Sequence, residues 1–340
     1  KADPTGIFLA PGDNIAIGSP KVNVYGSIGI ENVILGAGSS QVVLDQNVER
    51  VYLSAAPFAY RFQQSGIRLD GYAETGSDPI FSAALQNDAD GTVLVFPSGS
   101  ASAKVSAAGM TLGGATVSST VPFAVSPSLG GYVAPPTAAT NTGVFLGQNA
   151  NFTAASAGLK LYGAAGGEVV ALKRGVSDIS VDQLVDRVQF DGLATAALRF
   201  QQQGINLLVY DESTLLAKIP LQSDVDGTLV TTTTGTVQAK VSATGMFLGG
   251  VRVSANEASS LVPADVDSSL KAAPGGIGPL ITLFTSTSDN GIYKAGSTIN
   301  ITAVASEALA AGSQITVTLE TGTTDRTVVL TRDGTDATKL

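Results

Sequence analysis

The residues with the greatest capacity for chemistry are carboxylates at repeated positions. Glu31 and Glu49 stand two nine-residue steps apart, and Glu168 and Asp186 repeat that spacing in a second copy of the segment. Ser40 and Ser177 hold the midpoints. In a two-sheet roll built from nine-residue segments, successive segments fall on opposite sheets. Residues two segments apart then stack about 5 Å from each other. Two carboxylates so close repel unless a cation or an arginine intervenes. Calcium, a hard cation, is one answer; Arg50 and Arg187, next in sequence to Glu49 and Asp186, offer an ordinary salt bridge as the other. A second acidic motif, Asp88-Ala89-Asp90-Gly91, returns as Asp224-Val225-Asp226-Gly227. It supplies two carboxylates on one side of a tight loop, against the about six to eight oxygens that calcium takes. An Asp-Gly hairpin turn uses the same residues without metal. Asp265 and Asp267 form a third candidate, a clamp at a domain junction.

Other chemistry has little to work with. His and Cys are both absent. Ser-His-Asp and Cys-His catalysis are therefore excluded, and zinc loses its usual ligands. A carboxylate pair for glycoside hydrolysis stays open in any acidic chain, but no Trp is present to stack on sugar. Gly113-Gly114 and Gly249-Gly250 read as turns, not as phosphate loops. The net charge of −9, with 20 Asp against 8 Glu, excludes a nucleic-acid partner. It fits cation binding or a plain solubility surface. No apolar run is long enough to span a membrane as a helix.

The elements that position these acids are short strands. Ile15, Val24, Val33, Val42 and Val51 recur every nine residues, and Phe152, Leu161, Val170, Ile179 and Val188 repeat them in the second copy. A second track, two residues on, runs Ile17, Gly26, Leu35, Leu44, Leu53 and Ala154, Gly163, Leu172, Val181, Phe190. Apolar residues at n and n+2 share one strand face, and the nine-residue period stacks such strands into a solenoid. Beyond the ladder, alternation around Tyr60–Leu69 and Phe200–Val209 predicts hairpins, and Thr92–Val105 predicts two strands about a Pro97-Ser98-Gly99 turn. Leu44–Val51 returns as Val181–Val188, and Gly109–Gly114 as Gly245–Gly250, so one module of about 115 residues occurs twice. The expected organisation is a β module at 1–118, a Pro-rich connector at 119–141, its duplicate at 142–254, a second connector at 255–279, and a partial β-sandwich at 280–340. The expected fold is all-β: two tandem modules of short parallel β-roll or solenoid plus antiparallel sheet, then a partial immunoglobulin-like sandwich.

Residues Asp289–Gly296 and Leu319–Gly322 resemble bacterial immunoglobulin-like repeats of large surface adhesins. The modules, on "LDQNVERVYL", "DADGT" and "GMTLGG", resemble domains of large secreted repeat proteins, including surface-layer proteins and type I-secreted adhesins. The resemblance implies an extracellular, calcium-dependent structural role. The ladder is also similar to the nonapeptide calcium roll of secreted toxins, G-G-x-G-x-D-x-U-x. Here Glu31, Ser40, Glu49, Glu168, Ser177 and Asp186 stand where that repeat carries its Asp. The expectation is a secreted, non-enzymatic structural subunit of a bacterial cell-surface assembly, a piece of a longer protein that associates with copies of itself or other surface proteins and is stabilised by calcium. The alternative is an adhesin module that binds carbohydrate or a host surface through a cleft lined by Tyr60, Tyr72 and Tyr132. A solenoid lyase comes third.

Overall fold

The protein is described by a computed structural model covering residues 4–86, 91–134, 142–221, 227–272, 281–286, 288, 294, 297–305, 314–319, 326–336 and 339–340. It is all-β, and it divides into two units, 1–275 and 276–340.

The ladder forms the predicted solenoid. In one sheet Thr5–Phe8, Val22–Tyr25 and Val42–Leu44 run parallel; in the facing sheet Asn14–Ile17, Asn32–Leu35 and Arg50–Tyr52 do the same. The second module repeats the arrangement. In the first module the inward residues are β-branched or Leu, which suits a pleated surface packed against a facing sheet; the second adds Phe152, Ala154 and Phe190. Ile7, Ile15, Val24, Val33, Leu44 and Val51 are all buried between the two sheets.

The nine-residue period holds on one sheet only. There Ile15 stacks on Val33 and Val33 on Val51, each step being two nonapeptides. On the other sheet the steps are uneven. Ile7 lies beside Val24, one position short of two nonapeptides, and Val24 lies beside Leu44, two positions beyond them. Val42 is thus not the stacking partner of Val24, nor Ile179 that of Leu161, which stacks on Val181. Positive φ precedes both kinds of return: Gln41 and Asp178, at 53° and 56°, before the long ones, and Lys21, at 57°, before a short one. Non-glycine residues rarely take such angles, and Asn and Asp take them most easily.

Each parallel stack ends in an antiparallel sheet, as the alternation predicts. Pro79–Ala84 lies parallel to Val42–Leu44 and carries Arg68–Ala73 and Tyr60–Ser65 beyond it. Thr92–Phe96 lies parallel to Arg50–Tyr52 and is followed by Gly99–Ser106, Gly109–Leu112 and Ala115–Val117.

The two modules are not beads on a connector. They share both sheets, which among the described residues have 12 and 14 strands, and they share one hydrophobic core. They meet head to head, through their first coils. Thr5–Phe8 pairs antiparallel with Gly143–Phe145, with Ile7 opposite Val144, and Ile17 pairs with Ala154. Two equivalent serines complete the junction reciprocally. Ser156 Oγ accepts the Ala16 N–H at 2.7 Å, and Ser19 Oγ accepts the Thr153 N–H at 2.6 Å. Both serines are buried, and each gives an N–H an acceptor where the backbone ladder stops.

The chain that leaves each module folds back on the sheets. Gln64 and Phe62 donate their N–H groups to Ser118 and Phe123, and Gln202 and Phe200 donate theirs to Ser254 and Ser259. The outermost strands at both ends of the first sheet are thereby covered. In the second unit, Ile281–Thr285 pairs with Thr302–Ala305 and Gln314–Leu319 with Arg326–Thr331, both antiparallel.

Candidate functional site

The acids of the ladder lie at the strand entrances of the second sheet, and they bind backbone. Glu31 is fully buried, and its Oε1 accepts the Gly12 N–H at 3.0 Å. Glu49 Oε2 accepts the Glu31 N–H, also at 3.0 Å. The copy matches: Glu168, fully buried, accepts the Asn149 N–H at 2.9 Å, and Asp186 accepts the Glu168 N–H at 3.0 Å. Each carboxylate therefore reaches from one coil to the coil before it and caps an N–H that no strand partner takes. Such charge-assisted bonds are about twice as strong as neutral ones. The stacking of Glu31 over Glu49 and of Glu168 over Asp186 is as the spacing predicts. Arginine does not neutralise them: among the described residues Arg50 and Arg187 make no ion pair with these acids, and Arg187 Nε is buried without a partner.

The two copies differ in the bonding of the buried Glu. In the second, Ala164 N–H also bonds Glu168 Oε2, at 3.3 Å. In the first, Glu31 Oε2 is buried with no donor. The nearby Glu49 carboxyl is pushed up to about 7, chiefly by burial and also by its side-chain bond and repulsion with Glu31. A proton on Glu49 gives Glu31 Oε2 the donor it lacks. The pair is therefore the place where a cation in the proton's stead has most to offer.

A second pair of acids escaped the sequence reading. Asp45 Oδ1 accepts N–H groups from Gly26 at 2.9 Å and Asn47 at 3.0 Å. Asp182 Oδ1 does the same for Gly163 and Leu184, both at 3.0 Å. The signal was present, since Asp45 and Asp182 stand at equivalent places in the duplicated Leu-Asp-Gln and Val-Asp-Gln segments. The partner glycines hold no core slot, contrary to the second apolar track. A Cβ on Gly26 would lie 2.6 Å from the Asn47 backbone, and one on Gly163 2.7 Å from that of Leu184.

The remaining candidates divide. Asp88, Asp90, Asp224 and Asp226 lie outside the described residues. Asp265 and Asp267 are exposed, on a connector clipped to the sheet by hydrogen bonds to Gly249 and Thr236. Asp267 Oδ1 accepts both the N–H and the hydroxyl of Ser269, which hold its carboxyl below the usual range. Among the described residues no three acids gather as a metal-binding group. Gly113-Gly114 and Gly249-Gly250 are turns, all four at positive φ.

The tyrosine cleft does not form. Tyr60 is buried, its hydroxyl accepting the Ala55 N–H, while Tyr132 is exposed on the connector. Two open grooves flank the sheets. One, of about 630 Å³, is lined by Arg50, Lys104 and several serines; the other by Arg252, Gln202 and Asn256. Neither lining includes a carboxylate, so neither holds a glycosidase pair. No helix among the described residues is long and apolar enough to cross a membrane. Compared with known proteins, the chain matches no family model, no curated protein and no solved structure.

Proposed function

We propose that the chain is a non-enzymatic structural subunit of a secreted bacterial cell-surface assembly: a surface layer, a fibre or a large adhesin. The observation that carries this reading is the fusion of two solenoid modules into one core, with the outer strands of the first sheet hydrogen-bonded by the chain that follows each module. Such a body offers extent and a defined surface. Its best-defined polar groups are used to join one coil to the next. The lack of His and Cys, and grooves without acids, support a role other than catalysis. Partners are copies of the same chain or other surface proteins, with surface polysaccharide as a further candidate. Calcium acts as a stabiliser; Glu31 and Glu49 are the acids best placed for it, with further oxygens supplied by backbone and water.

Electron microscopy of the concentrated protein, with calcium and with a chelator, tests the reading. Ordered sheets or fibres with a regular repeat are expected in calcium. Dispersed particles under every condition, on a chain whose melting is also unmoved by chelator, would count against both assembly and calcium.

A further inference from the structure

Four aromatic rings cross the junction of the two modules on the outside of the first sheet. In strand order they are Tyr25, Phe8, Phe145 and Tyr162. Their neighbours Val24, Ile7, Val144 and Leu161 point inward and are buried, so alternation turns all four rings outward. Phe8 stacks on Tyr25 with centroids 4.7 Å apart, Phe145 on Tyr162 at 4.8 Å, and Phe8 meets Phe145 edge to face at 5.5 Å. We propose that this aromatic row is the surface through which two copies of the chain pair face to face. The proposal rests on the structural-subunit reading and names the contact that serves it.

Three observations select a second copy as the occupant. The first is symmetry. The antiparallel pairing of Thr5–Phe8 with Gly143–Phe145 sets a local twofold axis through the middle of the row, with Phe8 and Phe145, Tyr25 and Tyr162, and Gly6 and Gly143 as equivalents. A patch with its own twofold presents the same pattern after half a turn, so it can meet its copy in an isologous contact. The second is area. Phe8, Tyr25, Phe145 and Tyr162 are 51, 40, 49 and 39% exposed. At roughly 200 Å² per aromatic side chain, this leaves about 350 Å² of exposed apolar surface. A standard interface takes about 800 Å² per partner, somewhat over half of it apolar. The row thus supplies most of the apolar part of one interface, and it falls within the roughly 300–600 Å² of a monomer's largest apolar patch, which is often functional. The third is the state of this sheet's edges. Strand-edge addition is the usual path to association for a β protein, but on this sheet the outer strands Tyr60–Ser65 and Leu198–Gln203 already hydrogen-bond the chain that follows each module.

Ring geometry argues against sugar at this surface. A sugar packs on an exposed ring face, and within each pair the inner faces are spent on stacking at 16° and 18° between planes. The exposed ring edges suit the edge-to-face contacts rings make with other rings.

Sedimentation equilibrium up to millimolar chain, with Phe8→Ser/Phe145→Ser and separately Asn23→Lys, tests the proposal. Asn23 lies on the outer face beside the row, in the position equivalent to Lys160. Its substitution leaves every ring in place while setting like charges against each other across a twofold contact. The native chain is expected to dimerise, the ring variant to dimerise about tenfold more weakly or less, and Asn23→Lys to weaken pairing in a way that salt restores. If the ring variant melts early, Asn23→Lys decides. A native chain that stays monomeric, or an Asn23→Lys chain that pairs as well as the native one, overturns the proposal. Ordered assemblies in the microscope from a chain whose dimer ignores these changes would refute this contact and leave the structural reading standing.

Discussion

At the scale of single residues, the Glu31–Glu49 pair sets a pH dependence. Glu49 lies at about 7 in the folded chain against an ordinary value of 4.5. The native state keeps this proton where the unfolded chain has released it, so stability is full below about pH 4.5 and falls as pH rises through 7. Glu49→Gln keeps an acceptor for the Glu31 N–H and gives Glu31 Oε2 a permanent donor. Melting temperatures recorded from about pH 5 to about pH 8 should decline for the native chain and decline less for the variant. Equal slopes would show that the proton resides elsewhere. The acids were legible in the sequence as stacked pairs, because their spacing follows from the two-segment return of the roll. Their partners were not. Which backbone N–H lies within reach of Glu31 depends on how the turn at Gly12 folds, and that turn has no periodicity to read.

At the scale of elements, the unit is one coil seated on the next. Asp45 and Gly26, and their equivalents Asp182 and Gly163, lock successive turns together at backbone distance. Gly26→Ala and Gly163→Ala place a methyl group against main chain that has no side-chain freedom to yield, and each should cost about 1–3 kcal/mol in urea unfolding. Gly131→Ala, at an open position with nothing within 4 Å, should change stability by less than about 0.5 kcal/mol. Equal effects at all three positions would refute the seating of the turns. The strands themselves were legible, since alternation marked the hairpins and the nine-residue repeat marked the stack. The short and long returns of the first sheet were hidden, because Val42 and Leu44, like Ile179 and Val181, are both inward-facing apolar residues. Hydrophobicity alone cannot choose between neighbours two apart on the same strand face.

At the scale of the whole molecule, a duplicated sequence has become one body. Sequence similarity announces two modules but not how they meet, because a parallel succession and a head-to-head junction bury the same side chains. The junction is decided by edge pairing and by Ser19 and Ser156, whose equivalence is visible only once their reciprocal bonds are known. The structural role proposed for the chain, and the twofold aromatic surface across its junction, both require that the modules be inseparable.

Scanning calorimetry of the full chain tests that most directly. Folding as one core predicts a single cooperative transition for residues 1–275, at ~190 kcal/mol near 60 °C, apart from any signal of the second unit. Two transitions of about 80 kcal/mol each, one per module, would contradict it.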